Sequence, residues 1–168
     1  MLKTLAAMAF ACALLAAAAR ANPDPILIWN ASGSVPIGLY AMRPAGRLYV
    51  GELVVARPPK RLADWLATRG YLPSGLPLLK RIAALSGQTV CREGLAIFVD
   101  GSGLARAQKR DHLDRPLPVW RGCRILRSGD VFLLNADQIT SLDGRYFGVL
   151  SASIVVGRAI PLWTKKEQ

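Results

Sequence analysis

Hydrophobic and polar residues change places in short blocks along this chain, and the blocks predict strands more often than helices. Ile26-Leu27-Ile28-Trp29 is an apolar run that reads as a strand entering a domain. In the small-residue stretch Asn30 to Gly38, two glycines and Pro36 exclude a regular helix. Leu39 to Met42 and Leu53 to Ala56 predict two strands joined by a turn over Arg43 to Gly51. Arg61 to Arg69, after Pro58-Pro59 and before Gly70, is the best helix candidate. A loop over Tyr71 to Pro77 leads to Leu78–Leu85, which is apolar around Lys80-Arg81. Thr89 to Cys91 and Leu95 to Val99 predict a hairpin around Arg92-Glu93-Gly94. Asp100 to Arg121 is polar and broken by Gly and Pro, the pattern of a surface excursion. Val131 to Leu134 predicts a buried strand, and the β-branched stretch Val149 to Ile160 closes the domain. These elements imply a mostly β fold, one compact domain over residues 22–168 with one or two short helices.

The first segment follows another pattern. After Lys3, Leu5 to Ala19 runs fifteen residues without a charge. Ala19-Arg20-Ala21 offers small residues at the positions a leader-cleaving enzyme reads, and Asn22-Pro23-Asp24-Pro25 is a helix stop. This is the layout of a secretory signal peptide over residues 1–21. A retained membrane anchor is the other reading, although fifteen apolar residues reach only about 22 Å against a ~30 Å hydrocarbon core. Both readings export the rest of the chain.

Composition adds two constraints. With 52% hydrophobic residues among 168, the chain has material for a core and is no disordered tail. The net charge of +11, or +9 without Lys3 and Arg20, suits nucleic acid, anionic lipid headgroups or an acidic protein, or serves solubility alone. No Lys/Arg block exceeds two or three residues and no nucleic-acid module is visible, so nucleic acid is not expected. For an exported protein, a membrane surface is the better partner. Cys12 lies in the first segment, which leaves Cys91 and Cys123 as an even pair. In an oxidising compartment such a pair predicts a disulfide, worth roughly 3–4 kcal/mol in the chain-entropy model; two buried free thiols are the alternative.

Candidate chemistry is narrowed by what the chain lacks. Its single histidine, His112, stands in the polar excursion and reads as a surface residue, so no Ser-His-Asp triad can be built on it. One histidine and two cysteines furnish no dedicated metal cage, and no cofactor is expected. A lysine can replace histidine as the base for a serine if burial keeps its amine neutral. Lowering such a lysine by about two units costs roughly 2.7 kcal/mol, so it should lie in an apolar run. Lys80, between Leu78-Leu79 and Ile82-Ala83-Ala84-Leu85, is that lysine. The competing reading has Lys80 snorkelling out of an edge strand.

Three segments then tip the balance. Ser32-Gly33-Ser34-Val35-Pro36 resembles the nucleophile box of type I signal peptidases, and Leu79-Lys80-Arg81-Ile82 resembles their lysine box. Ser141-Leu142-Asp143-Gly144-Arg145-Tyr146-Phe147-Gly148 resembles their final box, with Gly129-Asp130-Val131-Phe132 before it. The boxes come in the family's order over roughly Asn30 to Gly157. General signal peptidases carry one more residue between serine and proline. The shorter Ser34-Val35-Pro36 step, followed by Gly38-Leu39-Tyr40, is similar to the TraF-type peptidases of plasmid conjugation. Gly144 stands where the family box usually has serine.

The resemblance implies a Ser/Lys dyad of Ser34 as nucleophile and Lys80 as general base. It also implies an oxyanion hole from the Ser34 N–H and Ser32 hydroxyl, and Ser141 orienting the amine. Asp143 and Arg145 would brace the wall as an ion pair, or form an ordinary turn pair. The implied substrate is a pilin precursor, cleaved and in some cases cyclised at the periplasmic face of the inner membrane. It would enter as an added strand, with small side chains beside Ser34. Trp29, Ile37 and Tyr40 then belong either at the bilayer interface or in the core. The alternatives are a general leader peptidase, a self-cleaving repressor with the same dyad, and a non-enzymatic pilus-assembly or envelope-binding protein. The missing helix-turn-helix domain disfavours the repressor.

Overall fold

The computed structural model describes residues 2–21 and 26–165, so the helix stop at Asn22–Pro25 lies outside the described residues. Helix α1 is Leu2–Ala21, and its side chains from Lys3 to Leu14 are exposed. Among the described residues, no helix is long and apolar enough to cross a membrane. The chain continues as β1 (Leu27–Asn30), β2 (Gly38–Arg43), β3 (Leu53–Ala56), α2 (Lys60–Thr68) and β4 (Leu78–Leu85). Then follow β5 (Thr89–Glu93), β6 (Ala96–Val99), β7 (Ser102–Arg106), β8 (Gly122–Ile125) and β9 (Asp130–Leu133). Helix α3 (Gly144–Phe147), β10 (Leu150–Ser151) and β11 (Val155–Thr164) close the fold.

The strands form a seven-stranded sheet in the order β1-β2-β11-β3-β4-β9-β10 and a four-stranded sheet in the order β7-β6-β5-β8. Every pairing is antiparallel. The mostly β architecture expected from the short apolar runs is therefore what forms. β4 lies between β3 and β9, with Val54 opposite Lys80 and Val55 opposite Leu79. β4 is an interior strand and Lys80 is 3% exposed, which excludes its snorkelling out of an edge strand. Because side chains alternate across a strand, β3 sends Val54 into one core cluster with Ile82, Val131 and Leu133. It sends Val55 into another with Val35, Tyr40, Leu79 and Ala159. A third cluster, built on Ala84, Val90, Ile97, Leu126, Phe132 and Leu134, draws on both sheets. Tyr40 is a core residue rather than an interfacial one, whereas Trp29 is exposed and stacks on Trp163 at 5.8 Å.

Three features depart from the sequence pattern. The stretch 100–121 is more than an excursion: β7 pairs with β6, and Ala107 and Leu117 are buried against Tyr146. Single apolar residues spaced by polar ones carry no strand or helix period, so the pattern conceals this packing. β8, whose residues are all exposed, and the four-residue α3 are likewise too short or too polar to announce themselves. Cys91 and Cys123 stand opposite each other in the β5–β8 ladder and form the disulfide, Cα–Cα 4.0 Å.

Gly144 has a steric explanation. A Cβ there would meet Phe132 Cε2 at 2.5 Å and the Leu133 carbonyl at 2.7 Å, so no larger residue fits. Gly38 is held to glycine in the same way, by the Trp163 carbonyl 2.1 Å from a Cβ position.

Gly144→Ser is therefore expected to lower stability by about 1–3 kcal/mol through overpacking, read as a fall in the denaturant midpoint. An unchanged midpoint would refute the steric account. Alkylation of the full chain without reduction should add one group, at Cys12, and three after reduction; three groups without reduction would exclude the bridge.

Candidate active site

The β1–β2 connection is wound around one side chain. Asn30 is buried at the end of β1, and its amide nitrogen donates to the carbonyls of Ser32 (2.8 Å), Val35 (3.0 Å) and Pro36 (3.2 Å). Its oxygen accepts from the Ser32 N–H (3.2 Å) and the Ser32 hydroxyl (2.9 Å). The Tyr40 hydroxyl donates to the Pro36 carbonyl at 2.6 Å, and buried Val35 ties the loop to the core. A loop without regular backbone bonds thus has its polar groups satisfied by a carboxamide and a phenol. It leaves Ser34 half-buried, with Oγ 3.1 Å from Ser32 Oγ. The single Ser32 proton goes to Asn30, so Ser34 is the donor in that pair. Ser32 must rotate before it can offer a proton to an oxyanion.

Lys80 is 3% exposed, and its Nζ donates to Ser141 Oγ at 2.8 Å. Burial pushes the amine down to about 8; Asp143 opposes this by attraction, and Arg145 adds to it by repulsion. Burying the protonated amine in this way costs about 3 kcal/mol relative to water. The folded chain releases the proton at lower pH than the unfolded chain. That cost is therefore in full force below pH 8 and fades as pH rises from about 8 towards 10.5. Ser34, Lys80 and Ser141 line one cavity of about 520 Å³.

Behind Lys80 lies the final box. Asp143 and Arg145 are 2% and 1% exposed and pair through Nη2–Oδ2 (2.8 Å) and Nε–Oδ1 (2.9 Å). Asp143 also accepts from the Arg145 N–H (3.1 Å), capping α3, and from the Asn135 N–H (3.1 Å). Arg145 Nη2 also donates to the carbonyls of Asn135 (3.0 Å) and Gln138 (2.6 Å). This is a buried, fully hydrogen-bonded pair rather than an exposed turn pair, and removing one partner would leave a buried charge, costing about 3–5 kcal/mol.

The far wall comes from the stretch 107–117 and the loop after α2. Gln108, Arg110, Asp111 and His112 line the same cavity as Ser34, together with Tyr71 and Leu72. His112 is exposed, as its polar neighbourhood suggested, yet it borders the site. The Arg69 guanidinium donates to the Pro116 carbonyl (2.9 Å), and Arg115 donates to the Arg69 carbonyl (3.0 Å) and to Asp111 Oδ2 (2.7 Å). The Tyr71 hydroxyl also donates to Asp111. Burial alone would raise the Asp111 carboxyl, but the bonds from Tyr71 and Arg115 hold it well below the usual range. Among the described residues, no cluster of His, Cys, Asp or Glu is arranged to hold a metal ion.

Sequence reasoning left Asn30 without a role and passed over Asn135. Each is an asparagine at the end of an apolar run, an abrupt polar residue where the strand pattern stops. That signal was available, but the partners it serves were not.

Comparisons with known proteins bear on the family. The family model described as "Signal peptidase, peptidase S26" matches residues 1–163. A relative in Sinorhizobium fredii (strain NBRC 101917 / NGR234), named "Probable conjugal transfer protein TraF", is 34% identical over 143 residues, 77% of this chain and 73% of its own. A "Plasmid transfer protein TraF" of Escherichia coli is 29% identical over 145 residues, 80% of this chain and 81% of its own. Among solved structures, a signal peptidase I from Enterococcus faecalis V583 overlaps 67% of this chain and 96% of its own, at 17% identity and a TM-score of 0.38. With the family model spanning nearly the whole length, the chain belongs to the signal peptidase family, peptidase S26.

Proposed function

We propose that this chain is a serine endopeptidase that matures a pilin precursor during plasmid conjugal transfer, with Ser34 as nucleophile and Lys80 as general base. The observation that carries the reading is an amine buried in a sheet centre, lowered to about 8, in the same cavity as a loop-held serine. At pH 7 about one-tenth of such an amine is neutral, enough to serve as a base. Ser141 accepts one Lys80 N–H and so directs the nitrogen lone pair. When substrate enters, the Ser34 hydroxyl turns from Ser32 to Lys80, gives up its proton and attacks the scissile carbonyl. The Ser34 N–H and the freed Ser32 hydroxyl receive the oxyanion. Lys80 returns the proton to the leaving amine, and the acyl-enzyme passes to water, or to the pilin's own amino end to close a ring.

The conjugation assignment rests on the names of the relatives and on the short Ser34-Val35-Pro36 step. Location at the periplasmic face of the inner membrane rests on the N-terminal segment and on an apolar edge. That edge exposes Leu27, Trp29, Ile160, Leu162 and Trp163.

Ser34→Ala and Lys80→Ala are each expected to cut processing of the neighbouring pilin precursor by at least about 10³-fold, followed by gel shift of the precursor. Unimpaired processing in both would end the enzyme reading. Equal cleavage of unrelated leader peptides would instead make the chain a general leader peptidase. Because the base works deprotonated, kcat/KM should rise with pH and level off above about 8. A rate that falls between pH 6 and 8 would contradict a neutral-lysine base.

A further inference from the structure

Asn135 ends the run Val131 to Leu134 and is buried, 4% exposed, although it carries four hydrogen-bonding sites. Its main chain has already left the sheet, since its N–H donates to Asp143 Oδ2 and its carbonyl accepts from Arg145. Its side chain does something else. The amide oxygen accepts from the Arg81 N–H at 2.9 Å, and the amide nitrogen donates to the Leu79 carbonyl at 3.3 Å. These are the backbone groups on either side of Lys80. The same nitrogen donates to the Ser34 carbonyl at 2.7 Å, across a separation of 101 residues. Only this orientation of the carboxamide satisfies all three contacts, because one N–H and two carbonyls face it.

β4 and β9 pair as far as Ile82–Leu133, and the Leu134 N–H still reaches the Arg81 carbonyl at 2.9 Å. Beyond that point the carboxamide of Asn135 replaces the missing peptide group of β9. It carries the ladder alongside Lys80 and then over to the nucleophile loop. Asn30, by contrast, bonds only within residues 30–36 and shapes the loop without fixing where it sits.

We propose that Asn135 is the positioning residue that sets the separation and register between Ser34 and Lys80, by clamping the Ser34 carbonyl to the backbone flanking the lysine. The inference rests on the Ser34–Lys80 reading above. No other residue type suits the place as well. Aspartate would face two carbonyls with an acceptor, leucine would strand three backbone groups, and glutamine would hold the loop one methylene too far away.

The test needs no substrate. In the full chain carrying Ser34→Cys, alkylation of the introduced thiol by iodoacetamide is followed by peptide-level mass spectrometry from pH 6 to 10. The disulfide is kept oxidised, and Cys12 is resolved on its own peptide. A thiol held beside the Lys80 amine ionises below the free value of about 8.5. Adding Lys80→Ala should return the profile to that value. Adding Asn135→Ala instead should move the profile towards the Lys80→Ala one and slow alkylation at pH 7 about fivefold. Melting curves recorded alongside separate this from mere support of the fold. A lower melting temperature with an unmoved profile overturns the proposal and leaves the dyad standing. A profile indifferent to Lys80→Ala overturns the dyad and the proposal together. Should Asn135→Ala lose its cooperative melt, Asn135→Gln is read in its place. The same displacement is expected, and a superposable profile again overturns the proposal.

Discussion

Burying the Lys80 amine is the constraint around which the rest of the structure is arranged. An ammonium in this position would forfeit its hydration, so the fold holds the group where the neutral form competes. That requires a central strand, neighbours on both sides and apolar residues around the side chain, all of which β4 has. It also requires that nearby charge not undo the effect. Asp143 pulls towards the ammonium, but Arg145 sits on it through two hydrogen bonds and offsets the pull. The buried ion pair is thus electrically self-contained and serves as a wall. Ser141, at the start of the same box, accepts a hydrogen bond from the amine.

Around this centre, carboxamides do what regular secondary structure cannot. The loop over residues 31–37 has no ladder to join, so Asn30 collects its carbonyls from within and Asn135 ties it to the strand that carries Lys80 from outside. Neutral amides suit this work, since each offers donor and acceptor without adding charge beside a buried amine. The far wall uses charge instead. There the Tyr71–Asp111–Arg115 group fastens the stretch 107–117 to the end of α2, with the largely buried Asp111 carboxylate satisfied by the Tyr71 hydroxyl and the Arg115 guanidinium.

Where local pattern and local structure coincide, the sequence was a sufficient guide. Leu53–Ala56 and Leu78–Leu85 are strands over the residues their apolar runs span, and α2 follows Pro58-Pro59 as the helix signals indicate. Ala107, Leu117 and Trp120 were unreadable because isolated apolar residues among prolines and charges have no period, and their burial depends on Tyr146 and Phe132 from elsewhere in the chain. Gly144 was legible only as a departure from a family box. The reason, a Phe132 ring and a backbone carbonyl occupying the place a Cβ would take, is a distance between segments.

By itself the sequence determined which residue types were available for chemistry: a loop serine between glycines, a lysine in an apolar run, and a single histidine in a polar stretch. Residue type and nearest neighbours decide such matters, and both are written along the chain. Tertiary structure alone decided that Lys80 is central rather than at an edge, that Asp143 and Arg145 are buried, and that Asn135 lies between serine and lysine. Strand order and register are set by pairings between residues tens of positions apart. Whether a group loses its water depends on what those pairings place on top of it.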